Sequence, residues 1–167
     1  DLLVAAGVSS ILNFAAMAQL RELMDDGHRG GLPIVFFVVN NFYGMGGQTI
    51  GETMAFDRLA RIGAGVNAEN LHARTVDGTN PLAVADAMAT AREILERGDG
   101  PVLLDVQTYR QSGHSPSDAS SYRTQEEMEL WSAVDPIAGY YDHLADLAPA
   151  GPREQHHAEA AELVTAA

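Results

Sequence analysis

Two stretches of this 167-residue chain carry side chains suited to chemistry. The first, Pro33 to Gly47, is an apolar run that stops abruptly at Asn40 and Asn41 and passes through Phe42-Tyr43-Gly44-Met45 into further glycines. Two adjacent amide side chains offer neutral oxygens, as hydrogen-bond partners or as ligands to a hard cation, without adding charge. Gly44, Gly46 and Gly47 let the backbone turn tightly and approach a ligand, with Tyr43 and Met45 as larger groups between them. The plainer reading of the same residues is a buried strand followed by an asparagine-capped glycine turn. The second stretch, Tyr109 to Asp118 followed by Ser121-Tyr122-Arg123-Thr124, is polar and serine-rich. Arg110 brings a permanently charged fork that matches phosphate oxygens, and His114 a donor able to exchange a proton near neutral pH. The plainer reading of a histidine in such a loop is that it is solvated.

Both stretches need a scaffold that places them side by side. Ile34 to Val39 is too short for most helices and rich in β-branched and aromatic residues, which predicts a fully buried strand of a parallel sheet. Pro101 to Val106 reads as a second such strand, running on through Gln107-Thr108-Tyr109. In open α/β sheets ligands gather beyond the carboxyl ends of the strands, so both polar stretches belong at one edge of the sheet. Asp1 to Ala6 reads as a further strand and Leu71 to Val76 as another, ending in an Asp77-Gly78 turn. Helical spacing spans Ile11 to Met24, and a polar turn, Asp25 to Leu32, leads from there to the first strand. A helix over Glu52 to Ile62, with Met54, Leu59 and Ile62 inward, is expected to break at Gly63 to Val66.

Asn40 and Asn41 are not the only capping residues. Asn80 is placed to cap a helix from Pro81 to Arg97 that buries Leu82, Ala85, Met88, Ala89, Arg92 and Leu95 and ends at Gly98. Thr124 and Glu127 make a capping box for Gln125 to Trp131, and Asp135-Pro136-Ile137 opens a helix through Leu147. A turn over Pro149 to Pro152 precedes an Ala-rich helix, Glu154 to Val164. Its neighbours His156 and His157 point in different directions and do not suggest a metal site. The fold expected is a three-layer, Rossmann-like α/β domain with a mostly parallel sheet over residues 1–148, followed by a helical tail, residues 149–167.

Composition narrows the functions. The formal net charge is −13, the pI is near 4.6, and every one of the ten basic residues is arginine. So acidic a chain is a poor partner for nucleic acid or an anionic membrane, both of which demand basic patches. Without cysteine there is no disulfide, thiolate metal site or catalytic thiol. No apolar run approaches a membrane span, and the first residues lack the basic start of a signal peptide. The lysine-free, Ala- and Arg-rich usage points to a GC-rich bacterium and a cytoplasmic protein.

The strand followed by Asn40-Asn41-Phe42-Tyr43-Gly44-Met45-Gly46 resembles the second half of the thiamine-diphosphate motif in the α subunits of 2-oxo acid dehydrogenase E1 components. Tyr109-Arg110-x-x-Gly113-His114-Ser115-x-Ser117-Asp118, then Tyr122-Arg123-Thr124, is similar to the phosphate-anchoring loop of the same family, in the same order. The resemblance spans about Gly7 to Ile137. It implies that Asn41, through its side-chain oxygen, and Tyr43, through its backbone carbonyl, bind Mg2+. It also implies that Gly44, Met45, Arg110 and His114 meet thiamine diphosphate, that His114 assists acyl transfer, and that Ser115 and Asp118 order the loop. The implied reaction is oxidative decarboxylation of a 2-oxo acid, pyruvate first among the candidates, with acyl transfer to a lipoyl group on an E2 acyltransferase. The implied assembly is two α with two β chains, β holding the aminopyrimidine and the glutamate that activates the cofactor. Ser115 and Ser121 match positions phosphorylated in mitochondrial members.

The family's first half-motif, a Gly-Asp-Gly loop whose Asp binds Mg2+, does not precede the matching helix at Ile11-Leu12-Asn13-Phe14-Ala15-Ala16. Asp1 is followed by Leu2, so the loop is expected to be missing between Ala6 and Gly7 of an N-terminally truncated subunit. Two other readings stand beside the enzyme: an acetoin dehydrogenase α subunit, and a non-catalytic paralogue that keeps the fold and the partner interface. A generic nucleotide-binding domain is disfavoured by the absence of Gly-x-Gly-x-x-Gly and of a P-loop.

Overall fold

The computed structural model describes residues 33–44, 47–52, 54, 57–66, 71–147 and 153–166. The expected strand Asp1 to Ala6, the helix Ile11 to Met24, the turn at Asp25 to Leu32, and Met45 and Gly46 lie outside the described residues, as does the position of the expected missing loop.

The described elements run β1 (Val35–Asn40), β2 (Tyr43–Gly44), β3 (Gly47–Gln48), α1 (Arg61–Val66), β4 (His72–Asp77), α2 (Pro81–Glu96), β5 (Val102–Gln107), α3 (Gln125–Ser132), α4 (Pro136–Leu147) and α5 (Arg153–Ala166). Strands β1, β5 and β4 form a parallel sheet in that order, with Asn40 and Asp77 both opposite Gln107 at its carboxyl end. Strands β2 and β3 form a small antiparallel hairpin.

Strand β5 is central, which explains its uninterrupted burial from Val102 to Val106. Its alternate residues serve two layers, as a strand's period of two requires. On one face Val102, Leu104 and Val106 pack with Val76 against Ala87 and Ala91 of α2. On the other, Leu103 joins Leu71, Phe36, Val38 and Ile62 of α1. Helices therefore cover both faces of the sheet, the three-layer arrangement expected.

Four local expectations are corrected. Strand β1 is not fully buried: Phe37 and Val39 are 44% and 58% exposed, because among the described strands β1 lies at an edge of the sheet. The helix expected over Glu52 to Ile62 is instead α1, so Gly63 sits inside a helix rather than ending one. A Cβ on Gly63 would lie 2.4 Å from the Cβ of Ala73, and its absence lets α1 lie close on β4. The buried stripe of α2 runs through Ala83, Val84, Ala87, Ala91, Ile94 and Leu95, whereas Leu82 and Met88 are exposed. Small alanines bring the helix near the sheet, and that selects the face that spacing of the large side chains had missed.

The capping box is the fourth. Thr124 Oγ1 does accept from the Glu127 backbone N–H at 3.2 Å, but the Glu127 carboxylate accepts from the Tyr43 hydroxyl. The cap at Asn80 is as read. Asn80 Oδ1 accepts from Leu82 and Ala83, and Asp135 Oδ1 from Ile137 and Ala138. In the tail, Tyr141 stacks on His156 with centroids 5.9 Å apart, tying α4 to α5.

Candidate cofactor and metal site

Beyond the end of β1 the two asparagines shape a tight left-handed turn. Phe42 has φ 64°, a conformation costly for a bulky side chain. Both amides hold it there: Asn40 Oδ1 accepts from the Phe42 N–H at 3.4 Å and Asn41 Oδ1 from the Tyr43 N–H at 3.2 Å. The Phe42 carbonyl in turn accepts from Thr49, closing the β2–β3 hairpin that contains Gly44. A backbone strained at the sheet's carboxyl end and held by several bonds is a feature of binding sites. Asn41 remains half-buried, and its side-chain oxygen has a second lone pair.

Beyond the end of β5 the chain forms the Tyr109 to Thr124 loop, organised on Asp118. One carboxylate oxygen of Asp118 accepts from the Ser120 N–H at 2.8 Å. The other accepts from the His114 N–H and the Tyr122 hydroxyl, each at 2.8 Å. Gly113 is required beside it, since an added Cβ would come within 2.8 Å of the Asp118 main-chain oxygen. Because the Tyr122 hydrogen goes to Asp118, its 3.1 Å bond to His114 places a proton on Nδ1 of the imidazole. That leaves Nε2 as the basic nitrogen. Arg110 Nη2 donates to the Gly113 carbonyl at 3.3 Å, bracing the loop. Ser115 is exposed, with its hydroxyl 3.1 Å from that of Ser117 and its carbonyl accepting from Asp118. Ser121 is exposed too.

The backbone N–H groups of His114 and Ser120, with the Tyr122 hydroxyl, hold the Asp118 carboxyl at about 2. A depressed folded-state value means that the ionised acid orders the loop. That contribution is complete above the ordinary carboxylate range, near about pH 4, and disappears as pH falls through about 2. Trp131, the sole tryptophan, stacks on Tyr109 with centroids 4.9 Å apart and reports on this region. Its fluorescence is expected to shift between about pH 4 and 2. Asp118→Asn should show the acid-state signal already at neutral pH; an identical titration in wild type and variant would show that Asp118 does not order the loop.

Tyr43 joins the two stretches. Its buried ring lies 5.9 Å from that of Tyr109, nearly perpendicular, and 5.6 Å from that of Tyr122. Burial and the bond to Glu127 push its hydroxyl well above the ordinary tyrosine range, so it remains a neutral donor. Arg123, only 7% exposed, lies 5.6 to 5.8 Å from the ring centres of Tyr43, Tyr109 and Tyr122. Its guanidinium donates to the Arg110 carbonyl and, at 2.7 Å, to Ser120 Oγ.

Residue types in the sequence single out Asn41, Tyr43, Arg110, His114, Ser115 and Asp118, give Glu127 only the part of closing a capping box, and give no separate role to Arg123, Tyr109, Tyr122 or Asp105. The one available signal was for Asp105: a carboxylate inside an apolar strand is costly unless its oxygens are satisfied.

The neutral oxygens on the Asn40–Tyr43 turn suit part of the shell of a hard cation that takes its remaining ligands from a carboxylate, water and phosphate. The donors of the Arg110–His114 loop suit phosphate oxygens. Among the described residues no three His, Asp or Glu side chains gather to hold a metal by themselves. These also include no helix long and apolar enough to cross a membrane.

Comparison with known proteins agrees with this arrangement. The family model described as the dehydrogenase E1 component matches residues 19–164. The chain is 37% identical over 128 residues to the mitochondrial pyruvate dehydrogenase E1 component subunit alpha type I of Ascaris suum, covering 75% of this chain and 31% of that protein. It is 39% identical over 107 residues to pyruvate dehydrogenase E1 component subunit alpha of Zymomonas mobilis, covering 64% and 29%. The mitochondrial subunit alpha of Saccharomyces cerevisiae is 37% identical over 118 residues, covering 70% and 27%. The chain thus spans about a third of the length of these relatives. With a family match over most of its length and both polar stretches at the carboxyl end of a parallel sheet, this chain belongs to the dehydrogenase E1 component family.

Proposed function

We propose that this chain is the diphosphate- and Mg2+-binding part of the α subunit of a thiamine-diphosphate-dependent 2-oxo acid dehydrogenase E1 component, with pyruvate as substrate. The observation that carries this reading is the joining of the Asn40–Tyr43 turn and the His114 loop through Tyr43, Tyr122 and Glu127 at the carboxyl ends of β1 and β5. The names of the relatives favour pyruvate over branched-chain 2-oxo acids or acetoin. Residues 1–148 carry the binding domain and 149–167 a helical tail. The composition supports a bacterial cytoplasm, although several relatives are named mitochondrial.

In this reading Asn41, by its side-chain oxygen, and Tyr43, by its carbonyl, hold Mg2+. Gly44 and Met45 shape the turn beside them. Arg110 and His114 donate to the diphosphate, and Ser115 and Asp118 keep that loop ordered. Bound thiamine diphosphate supplies the electron sink for decarboxylation. His114, with its proton on Nδ1, presents Nε2 to accept or return a proton as the acyl group leaves for a lipoyl carrier on E2. A β subunit completes the site in an α2β2 assembly.

The absence of Gly-Asp-Gly from the sequence favours one second reading, a structural paralogue that keeps the fold without the metal. Calorimetric titration of thiamine diphosphate with Mg2+ into the chain co-expressed with its β partner separates the two. Saturable, Mg2+-dependent binding that Asn41→Ala abolishes is the expected result. An assembled wild-type complex that binds nothing would leave the paralogue.

A further inference from the structure

Resting on that reading, we infer that Asp105 is the positioning residue of the metal site, although it touches neither loop tip. It lies in central strand β5 and is fully buried, in register with Val38 of β1 and Thr75 of β4. Burying a carboxylate is costly, and its oxygens are satisfied by three neutral donors from three segments. One oxygen accepts from Asn40 Nδ2 at 3.0 Å. The other accepts from the Leu59 backbone N–H at 2.8 Å and from Thr75 Oγ1 at 3.4 Å.

The geometry gives each bond a task. Asn40 is the last residue of β1, and its amide faces two ways: Nδ2 donates inward to Asp105 while Oδ1 accepts from Phe42 in the left-handed turn. Asp105 accepts only, so it dictates which end of the amide points inward, and thereby keeps Oδ1 on Phe42. The same turn presents Asn41 and Tyr43. The bond to Leu59 anchors the chain where it leaves the β2–β3 hairpin for α1, so one carboxylate fixes the hairpin's entry and its exit. A leucine or valine at this position would fill the layer occupied by Leu103 but would orient nothing.

Exchange of the pair provides the test. In Asp105→Asn, the new amide keeps an oxygen for Leu59 but turns an NH2 group toward the Asn40 NH2 group, donor against donor. Asn40 then either loses its bond or flips and abandons Phe42. Adding Asn40→Asp restores acceptance from both the new amide and Phe42, with the polarity reversed.

In the complex with β, Asp105→Asn is expected to weaken Mg2+-dependent thiamine diphosphate binding by about 10- to 100-fold, as loss of a ligand-orienting partner does. Asn40→Asp/Asp105→Asn should return it to within about threefold of wild type, the residue of an imperfectly exchanged pair. Melting of the cofactor-free complex is measured alongside. Wild-type binding left unchanged by Asp105→Asn overturns the inference while the functional reading stands. Absent wild-type binding removes both. Should Asp105→Asn fail to fold, the exchanged pair decides: restored folding and binding support the positioning role, and restored folding without binding, or no folding, overturns it.

Discussion

Replacing His114 with alanine is expected to reduce turnover of the assembled complex by about 10²- to 10⁴-fold, the usual contribution of a positioned proton-transfer group. The reason lies in its bonding. His114 Nδ1 donates to Tyr122, and its main-chain N–H to Asp118, so the ring is held with Nε2 as the nitrogen that can accept a proton. His114→Asn separates holding from reacting, because its amide nitrogen can replace Nδ1 toward Tyr122 and nothing replaces Nε2. This variant should keep the loop ordered and still lose turnover to the same extent. Steady-state kinetics on the complex, with cofactor affinity measured in parallel, provides the check. Full activity in His114→Asn would show that the ring acts only as a brace.

Arg123→Ala is expected to destabilise the chain by about 3 kcal/mol, the worth of two lost charge-assisted hydrogen bonds. It would remove a donor from the Arg110 carbonyl and open a space among Tyr43, Tyr109 and Tyr122. Because these rings join the two polar stretches, the loss should be concentrated there, with faster hydrogen exchange over residues 110–123. Arg123→Lys should recover little, since an ammonium cannot present a planar fork to a carbonyl and a hydroxyl while lying among three rings. Denaturant unfolding of both variants tests this. A lysine variant as stable as wild type would mean that charge alone suffices.

The roles of His114 and Arg123 illustrate how unevenly a site can be read from its residues. The Asn40–Gly44 turn and the His114 loop were legible because their residue types are chemically restrictive: adjacent amides, an arginine, and a histidine that follows a glycine. The caps at Asn80 and Thr124 were legible for a similar reason, as each satisfies backbone donors within three residues. Helix α1 was not. The two glycines that look like a break lie inside the helix, and Gly63 takes its meaning from Ala73 on another strand. The buried face of α2 was misjudged because the alanines that fit the sheet closely are weak markers of burial beside Leu82 and Met88.

Strands β1, β4 and β5, helices α2 to α5 and the parallel α/β class are legible in the residues, as are the side-chain types suited to oxygen, phosphate and proton-transfer chemistry. These follow from local sterics, capping and periodicity, which act over a few residues. Tertiary contacts alone bring Glu127 away from its own helix cap to Tyr43, Arg123 among three tyrosines, and Asp105 to accept from Asn40, 65 residues away. Those bonds form between segments whose meeting depends on how β1, β5 and β4 align, and a hydrogen bond across the sheet leaves no periodic trace in either partner's neighbourhood.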